Sequence, residues 1–177
     1  EPGEAVEIVG LVAAMKAKPV MGRRIGVYSA TGGGAGLLAD LCERDGLGLP
    51  EFQPETRATL DAVLPSYGTS SNPVDTTATG IHALGYAELT MTLAADPGID
   101  AVIVAASGRS ATSIGKDARA LKELAQTCDK PVVFWSYTTP IEAFGDIMDE
   151  AGIPYCGSPG VVTKALAGLA RLTELAA

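Results

Sequence analysis

Aromatic side chains, histidine and cationic residues are all scarce in this 177-residue chain. Phe, Trp and Tyr together reach only 5%, which disfavours a site built on stacking a flavin or a base. Histidine occurs once, as His82. Lys and Arg number 13 against 21 Asp and Glu, for a net charge of −8. Nucleic acid and anionic membrane surfaces are gripped by concentrated cations, so neither is expected as a partner. A bound phosphate would have to be held locally, by backbone N–H groups and at most one Arg. No apolar run approaches the roughly 20 residues of a membrane span. Glu1, Glu4 and Glu7 stand where a signal peptide would carry basic residues. Cys42, Cys128 and Cys156 are odd in number and show no CxxC spacing. They read as reduced, packed thiols, and the expected location is cytoplasmic.

What is present is a globular composition, 47% hydrophobic and 19% charged, in a length suited to one domain. Residues 1–18 predict a lead-in helix with Ala5, Ile8, Val12 and Met15 on one face, and Pro19 marks a linker. The organisation expected is therefore a lead-in helix and linker over 1–21 and the main domain over 22–177. Strands are predicted at Arg24–Ser29, Leu47–Phe52, Asp100–Ala106, Pro131–Trp135 and Ile153–Cys156. Helices are predicted at Gly34–Asp45, Pro54–Leu64 and Ile81–Ala95, then around Ile114–Cys128, from a Thr139–Glu142 capping box to Gly152, and from Ser158-Pro159 onward. The last should turn Val162, Leu166, Leu169 and Leu172 inward. The two longest strands are continuously apolar, as in a sheet covered on both faces. Strands separated by helices imply right-handed crossovers and a parallel sheet. The fold class expected is α/β, a three-layer, doubly wound parallel sheet of about five strands in the flavodoxin-like order 2-1-3-4-5. Ligands then belong beyond the carboxyl ends of strands 1 and 3, where the winding reverses.

The segment leaving the first strand is Ser29-Ala30-Thr31-Gly32-Gly33-Gly34-Ala35-Gly36. Glycines let the backbone approach a ligand closely, and a helix start offers unpaired N–H groups and a positive dipole end. Ser29, Thr31, Gly32, Gly33, Gly34, Ala35 and Gly36 are accordingly the candidate phosphate-binding residues. Leu37 and Leu38 follow, so neither the P-loop pattern nor the G-x-G-x-x-G fingerprint is satisfied. A second concentration of polar residues is Ser70-Ser71-Asn72-Pro73-Val74-Asp75-Thr76-Thr77. On residue chemistry alone, Asn72 and Asp75 bond neighbouring backbone groups and order a turn. Arg109 follows the Asp100–Ala106 strand at the expected switch point. Two readings stand for it, pairing with a phosphate or lying solvated on the surface. Trp135 and Tyr137 read as core and rim.

The succession SATGGGAGLLADLCERDGLGLPEF, PETRATLDAVLP, SNPVDTT, GIDAVIVAA, KPVVFW and EAGIPYCGSP resembles the ligase-type CoA domain of NDP-forming acyl-CoA synthetases. It is similar more distantly to the C-terminal domain of the succinyl-CoA synthetase β subunit. The resemblance runs from about Gly22 to the end, the lead-in helix matching the family's interdomain connector. It implies a relay in which an acyl phosphate forms from acyl-CoA and phosphate, a histidine takes the phosphoryl group, and ADP or GDP receives it. The helix after the glycine turn would point its N-terminus at that phosphohistidine. Parent cofactors implied are CoA, ADP/ATP or GDP/GTP, and Mg; none is expected in this chain. The partners implied are the CoA-binding, phosphohistidine and ATP-grasp domains, with phosphate.

The family's Ser-His-Thr-Gly segment has no counterpart here, and His82 reads as a solvated or half-buried histidine near a helix start. No catalytic residue and no metal ligand is therefore assigned, and this chain alone is expected to be inactive. The alternatives are a ligand-sensing module of a fused protein acyltransferase and a flavodoxin-like nucleotide binder.

Overall fold

The computed structural model describes residues 2–15, 18, 22–77, 80–81, 85–109 and 111–176. Its centre is a five-stranded, all-parallel sheet in the order β2-β1-β3-β4-β5. The strands are β1 (Ile25–Ser29), β2 (Val74–Asp75), β3 (Ala101–Ala106), β4 (Val132–Ser136) and β5 (Tyr155–Cys156). Seven described helices flank them: α1 (Pro2–Met15), α2 (Gly32–Arg44), α3 (Pro54–Val63), α4 (Tyr86–Ala95), α5 (Ala111–Thr127), α6 (Glu142–Ala151) and α7 (Pro159–Ala176).

Every residue of β1, β3 and β4 is buried, so alternation along a strand sorts side chains between two cores, not between core and solvent. Ile25, Val27, Ile103, Val133 and Trp135 face one cluster with Leu38 of α2, Leu11 and Met15 of α1, and Leu166 of α7. Tyr28, Val104 and Phe134 face the other with Leu60 of α3, Leu93 of α4, Leu121 of α5 and Phe144 of α6. The result is the expected doubly wound three-layer fold, with the switch between β1 and β3.

The expected second strand, Leu47–Phe52, is not one. It makes a single bridge between Arg24 and Gly48, and the place beside β1 belongs to β2, where Tyr28 pairs with Val74 and Ser29 with Asp75. The Asn72 side chain explains the exchange. Its Oδ1 accepts from the Val27 N–H at 3.0 Å, and its Nδ2 donates to the Ile25 carbonyl at 2.8 Å and the Pro50 carbonyl at 3.0 Å. One amide thus occupies the edge of β1 below β2, and Pro50 has no N–H to offer in its place.

Other differences are local. Helix α2 starts at Gly32, two residues earlier than expected, with Thr31 as its N-cap. Gly85, at φ 79°, stands immediately before α4, so that helix begins at Tyr86. His82 lies outside the described residues, as does Pro19. The Thr139–Glu142 capping box does not form, since α6 is capped at Ile141 without a side-chain bond. Tertiary contact overrides it: the Ile141 N–H donates to the Gly108 carbonyl at 3.0 Å. In α7, Val162, Leu166 and Leu169 are buried, but Leu172 is 56% exposed. In α1 the inward face is Ile8, Leu11, Val12 and Met15, with Ala5 exposed. No described helix is long and apolar enough to cross a membrane.

Candidate functional site

The carboxyl ends of β1 and β2 bring the two polar segments of the sequence together. Ser29, the last residue of β1, is fully buried. Its hydroxyl donates to the Thr31 carbonyl at 2.9 Å and accepts from the Thr31 N–H at 3.1 Å. That bracket bends the chain out of the strand and aims Thr31 at the first turn of α2. The Thr31 hydroxyl accepts from the Gly34 N–H at 3.2 Å, and the Thr31 carbonyl from the Ala35 N–H at 3.1 Å.

Two of the four N–H groups that open α2 are therefore satisfied within the chain, and two are not. Gly32 and Gly33 take no partner among the described residues. Both are exposed, and a Cβ at Gly33 would meet nothing within 4 Å. Gly34 differs. A Cβ there would stand 2.8 Å from Thr31 Oγ1 and 2.9 Å from Ser29 Oγ, so its glycine is required by packing. Ala35 is buried behind the turn, and Gly36 faces open space. The candidate group thus divides into an open pair, Gly32 and Gly33, a scaffold of Ser29, Thr31, Gly34 and Ala35, and Gly36, exposed a turn further on and part of neither.

The second segment forms the opposite lip. The Thr76 hydroxyl and N–H both donate to the Ser29 carbonyl, at 3.1 and 3.0 Å, fastening it to β1. Asp75 Oδ1 accepts from the Thr77 N–H at 2.9 Å, the local bond expected of it. Asp75 Oδ2 lies 3.0 Å from the position of a Gly32 Cβ, so a carboxylate borders the open donors. Asn72 is not a local turn former; its partners are 22 to 47 residues away. Sequence reading missed Thr77, which holds φ at 57° with its hydroxyl buried and, among the described residues, unpartnered. A buried polar atom without a partner is unusual, and only recognition of β2 would have directed notice to it.

Along the same edge, Ser107 Oγ lies 3.3 Å from Thr138 Oγ1 and Ser136 Oγ donates to the Thr138 carbonyl at 2.6 Å. Arg109 is exposed in the turn after β3 and has no hydrogen-bond or ion-pair partner among the described residues. Trp135 is buried, its Nε1 also without a partner among the described residues, with its ring edge 3.5 Å from the position of a Gly34 Cβ. Tyr137 packs edge-on against it at a centroid distance of 6.1 Å, and burial raises the pKa of its phenol while the Ser107 hydroxyl partly offsets this.

This architecture recurs in known proteins. Residues 25–155 match the Ligase-CoA domain family, and the chain belongs to that family. A trans-feruloyl-CoA synthase of an unknown prokaryotic organism is 29% identical over 168 residues, covering 91% of this chain and 24% of its own length. The crystal structure of PH0766 from Pyrococcus horikoshii OT3 superposes with a TM-score of 0.79 at 23% identity, over 96% of this chain and 40% of that one. A dinucleotide-forming acetyl-coenzyme A synthetase 1 from Ca. Korarchaeum cryptofilum, in complex with phosphate and ADP, gives a TM-score of 0.69 at 20% identity, over 91% and 36%. The chain thus spans between a quarter and two fifths of these relatives.

Proposed function

We propose that this chain is the domain of an NDP-forming acyl-CoA synthetase that steadies a phosphoryl group in transit, using the N-terminus of α2. The observation that carries the proposal is the pair of open, exposed N–H groups at Gly32 and Gly33, presented where a doubly wound sheet places its ligands. Two parallel N–H donors and the positive end of a 13-residue helix favour an anion without any side-chain charge. Membership of the Ligase-CoA family and the acyl-CoA synthase among its relatives support the reaction class.

The residues divide the work. Ser29 and Thr31 fix the direction of α2, Gly32 and Gly33 donate to phosphate oxygens, and Asn72 and Thr76 hold the facing lip. Asp75 borders the donors with a negative charge, so a free anion is held weakly. A phosphohistidine brought by another domain arrives tethered, and the tether compensates for weak intrinsic affinity. CoA, the ADP or GDP with its Mg, and the histidine belong in this reading to the CoA-binding, phosphohistidine and ATP-grasp parts of the parent.

The test is the full-length enzyme carrying Gly33→Val, followed for phosphoenzyme formation from acyl-CoA and phosphate. A branched side chain in the open space above Gly33 blocks the approach without a clash in the fold. The expected result is a phosphoenzyme yield at least tenfold lower with unchanged melting, since donors aimed at a developing anion are each worth a factor of about 100 or more. Normal phosphoenzyme formation would refute the assignment.

A further inference from the structure

At the amino-terminal end of the sheet, α1, α5 and the segments entering β4 and β5 surround a cavity of about 200 Å³. Met15, Leu124, Val132, Ile153 and Pro154 give it apolar walls. Lys18 also lines it, and its ammonium donates to the Ala125 carbonyl near the end of α5. An ammonium carries three donors, and this carbonyl takes one. Among the described residues no carboxylate pairs with Lys18. A cation against apolar walls without a counter-ion is costly to hold, and the arrangement is complementary to a ligand that is apolar at one end and anionic at the other. The cavity is separated from the glycine turn by the length of the five-residue β4, roughly 16 Å.

We infer that this cavity is a second binding site, for a small aliphatic carboxylate. The hydrocarbon tail lies against Met15, Leu124, Val132 and Ile153, and the carboxylate accepts from the Lys18 ammonium. Inorganic phosphate has no apolar part to lay against these walls and would gain only the Lys18 ammonium, so it should bind less well than an aliphatic carboxylate, and amines are repelled by the charge of Lys18. Apolar cavities of this size class take up small hydrocarbons readily; the charge selects among amphiphiles.

The experiment is a titration of the 177-residue chain with hexanoate, hexanol and hexylamine, following the methyl resonances of Leu124, Val132 and Ile153 by NMR. Hexanoate should shift these methyls saturably, with a dissociation constant on the order of 1 mM for so small a ligand. Hexanol should bind about tenfold more weakly, the worth of one charge-assisted hydrogen bond, and hexylamine should leave the methyls unmoved. Lys18→Met, which keeps the apolar stem, should erase the preference for hexanoate over hexanol. Ala14→Phe, which fills the cavity from the exposed side of α1, should block both. Methyls unmoved by hexanoate, equal binding of hexanoate and hexanol, or a preference that survives Lys18→Met would each overturn the inference. Should Lys18→Met fail to fold, the ratio of hexanoate to hexanol affinity in the wild type decides it.

Discussion

Gly33 and Gly34 are neighbours in sequence with opposite reasons for being glycine. At Gly33 a Cβ enters empty space, whereas at Gly34 it presses on the two hydroxyls that build the turn. Gly33→Ala should therefore stabilise the fold, by about 0.5 kcal/mol, because alanine suits a helix better. Gly34→Ala should cost about 1–2 kcal/mol through displacement of the Thr31 cap. Thermal denaturation of the two variants checks both signs, and two equal effects would contradict the division of the turn. Asp75 makes a further test possible. Its carboxylate faces the open donors, and like-charge repulsion at close range costs about 1 kcal/mol under water-like screening. Asp75→Asn keeps an oxygen for the Thr77 N–H and should raise phosphate affinity about fivefold. An affinity unchanged or lowered in a titration of the variant would show that the carboxylate does not bear on the anion. Glycines at a strand-to-helix turn are legible from sequence because backbone freedom is a property of the residue itself. Which glycines are open and which are packed depends on Ser29, Thr31 and Trp135 standing around them, and sequence does not carry that.

Elements with long apolar or periodic stretches were the most legible. β3 and β4, the inward face of α5, and that of α7 as far as Leu169 follow from hydrophobic runs that no competing structure can bury as well. β2 was not legible: two residues, Val74 and Asp75, carry no period, and the side chain of Asn72 does the work of missing strand residues. Leu47–Phe52 looked like a strand because its apolar residues are buried, with Leu47 in one core and Phe52 in the other. The sheet's amino-terminal end is tied by Asp100, which accepts from the Arg24 guanidinium at 2.7 and 3.0 Å and from the Arg24 N–H at 2.9 Å. Burial pushes the Asp100 carboxyl up, but these bonds and the guanidinium charge outweigh it and hold the carboxyl below its ordinary range. A folded pKa below the unfolded value means the stabilisation is complete above about pH 4. It is lost as pH falls through the folded pKa. Because Arg24 is half exposed, solvent screens the pair and the contribution is modest. Asp100→Asn should flatten the acid limb of the stability curve below pH 4 and lower stability at neutral pH. An acid limb as steep as that of the wild type would place the titrating group elsewhere.

On the scale of the whole molecule, the fold class was legible because strand and helix alternate, and the family because the glycine turn and the Ser70–Thr77 segment stand together in one succession of motifs. Those segments meet because β2 pairs with β1, which brings the Asp75 carboxylate to within 3.0 Å of the position of a Gly32 Cβ. The 177-residue chain spans 24% of its trans-feruloyl-CoA synthase relative, and under the proposed function the nucleotide and the phosphocarrier belong to other domains of the parent. Incubated alone with acetyl-CoA, ADP, Mg²⁺ and phosphate, the chain should form no ATP. Steady ATP formation would show a complete active site and contradict that division of labour.

Whether a phosphoryl group is met by the N–H groups of Gly32 and Gly33 is tested most directly by an NMR titration of this chain with inorganic phosphate. A net charge of −8 provides no general attraction, and an exposed helix N-terminus contributes only about 0.3–1 kcal/mol, so binding should be weak. The amides of Gly32 and Gly33 should nevertheless move first and farthest, with those of Thr31 and Gly34 following, while residues at the amino-terminal end of the sheet stay fixed. Amides from Ser29 to Leu37 that remain unmoved at high phosphate, while a distant site responds, would contradict the proposed role of the turn.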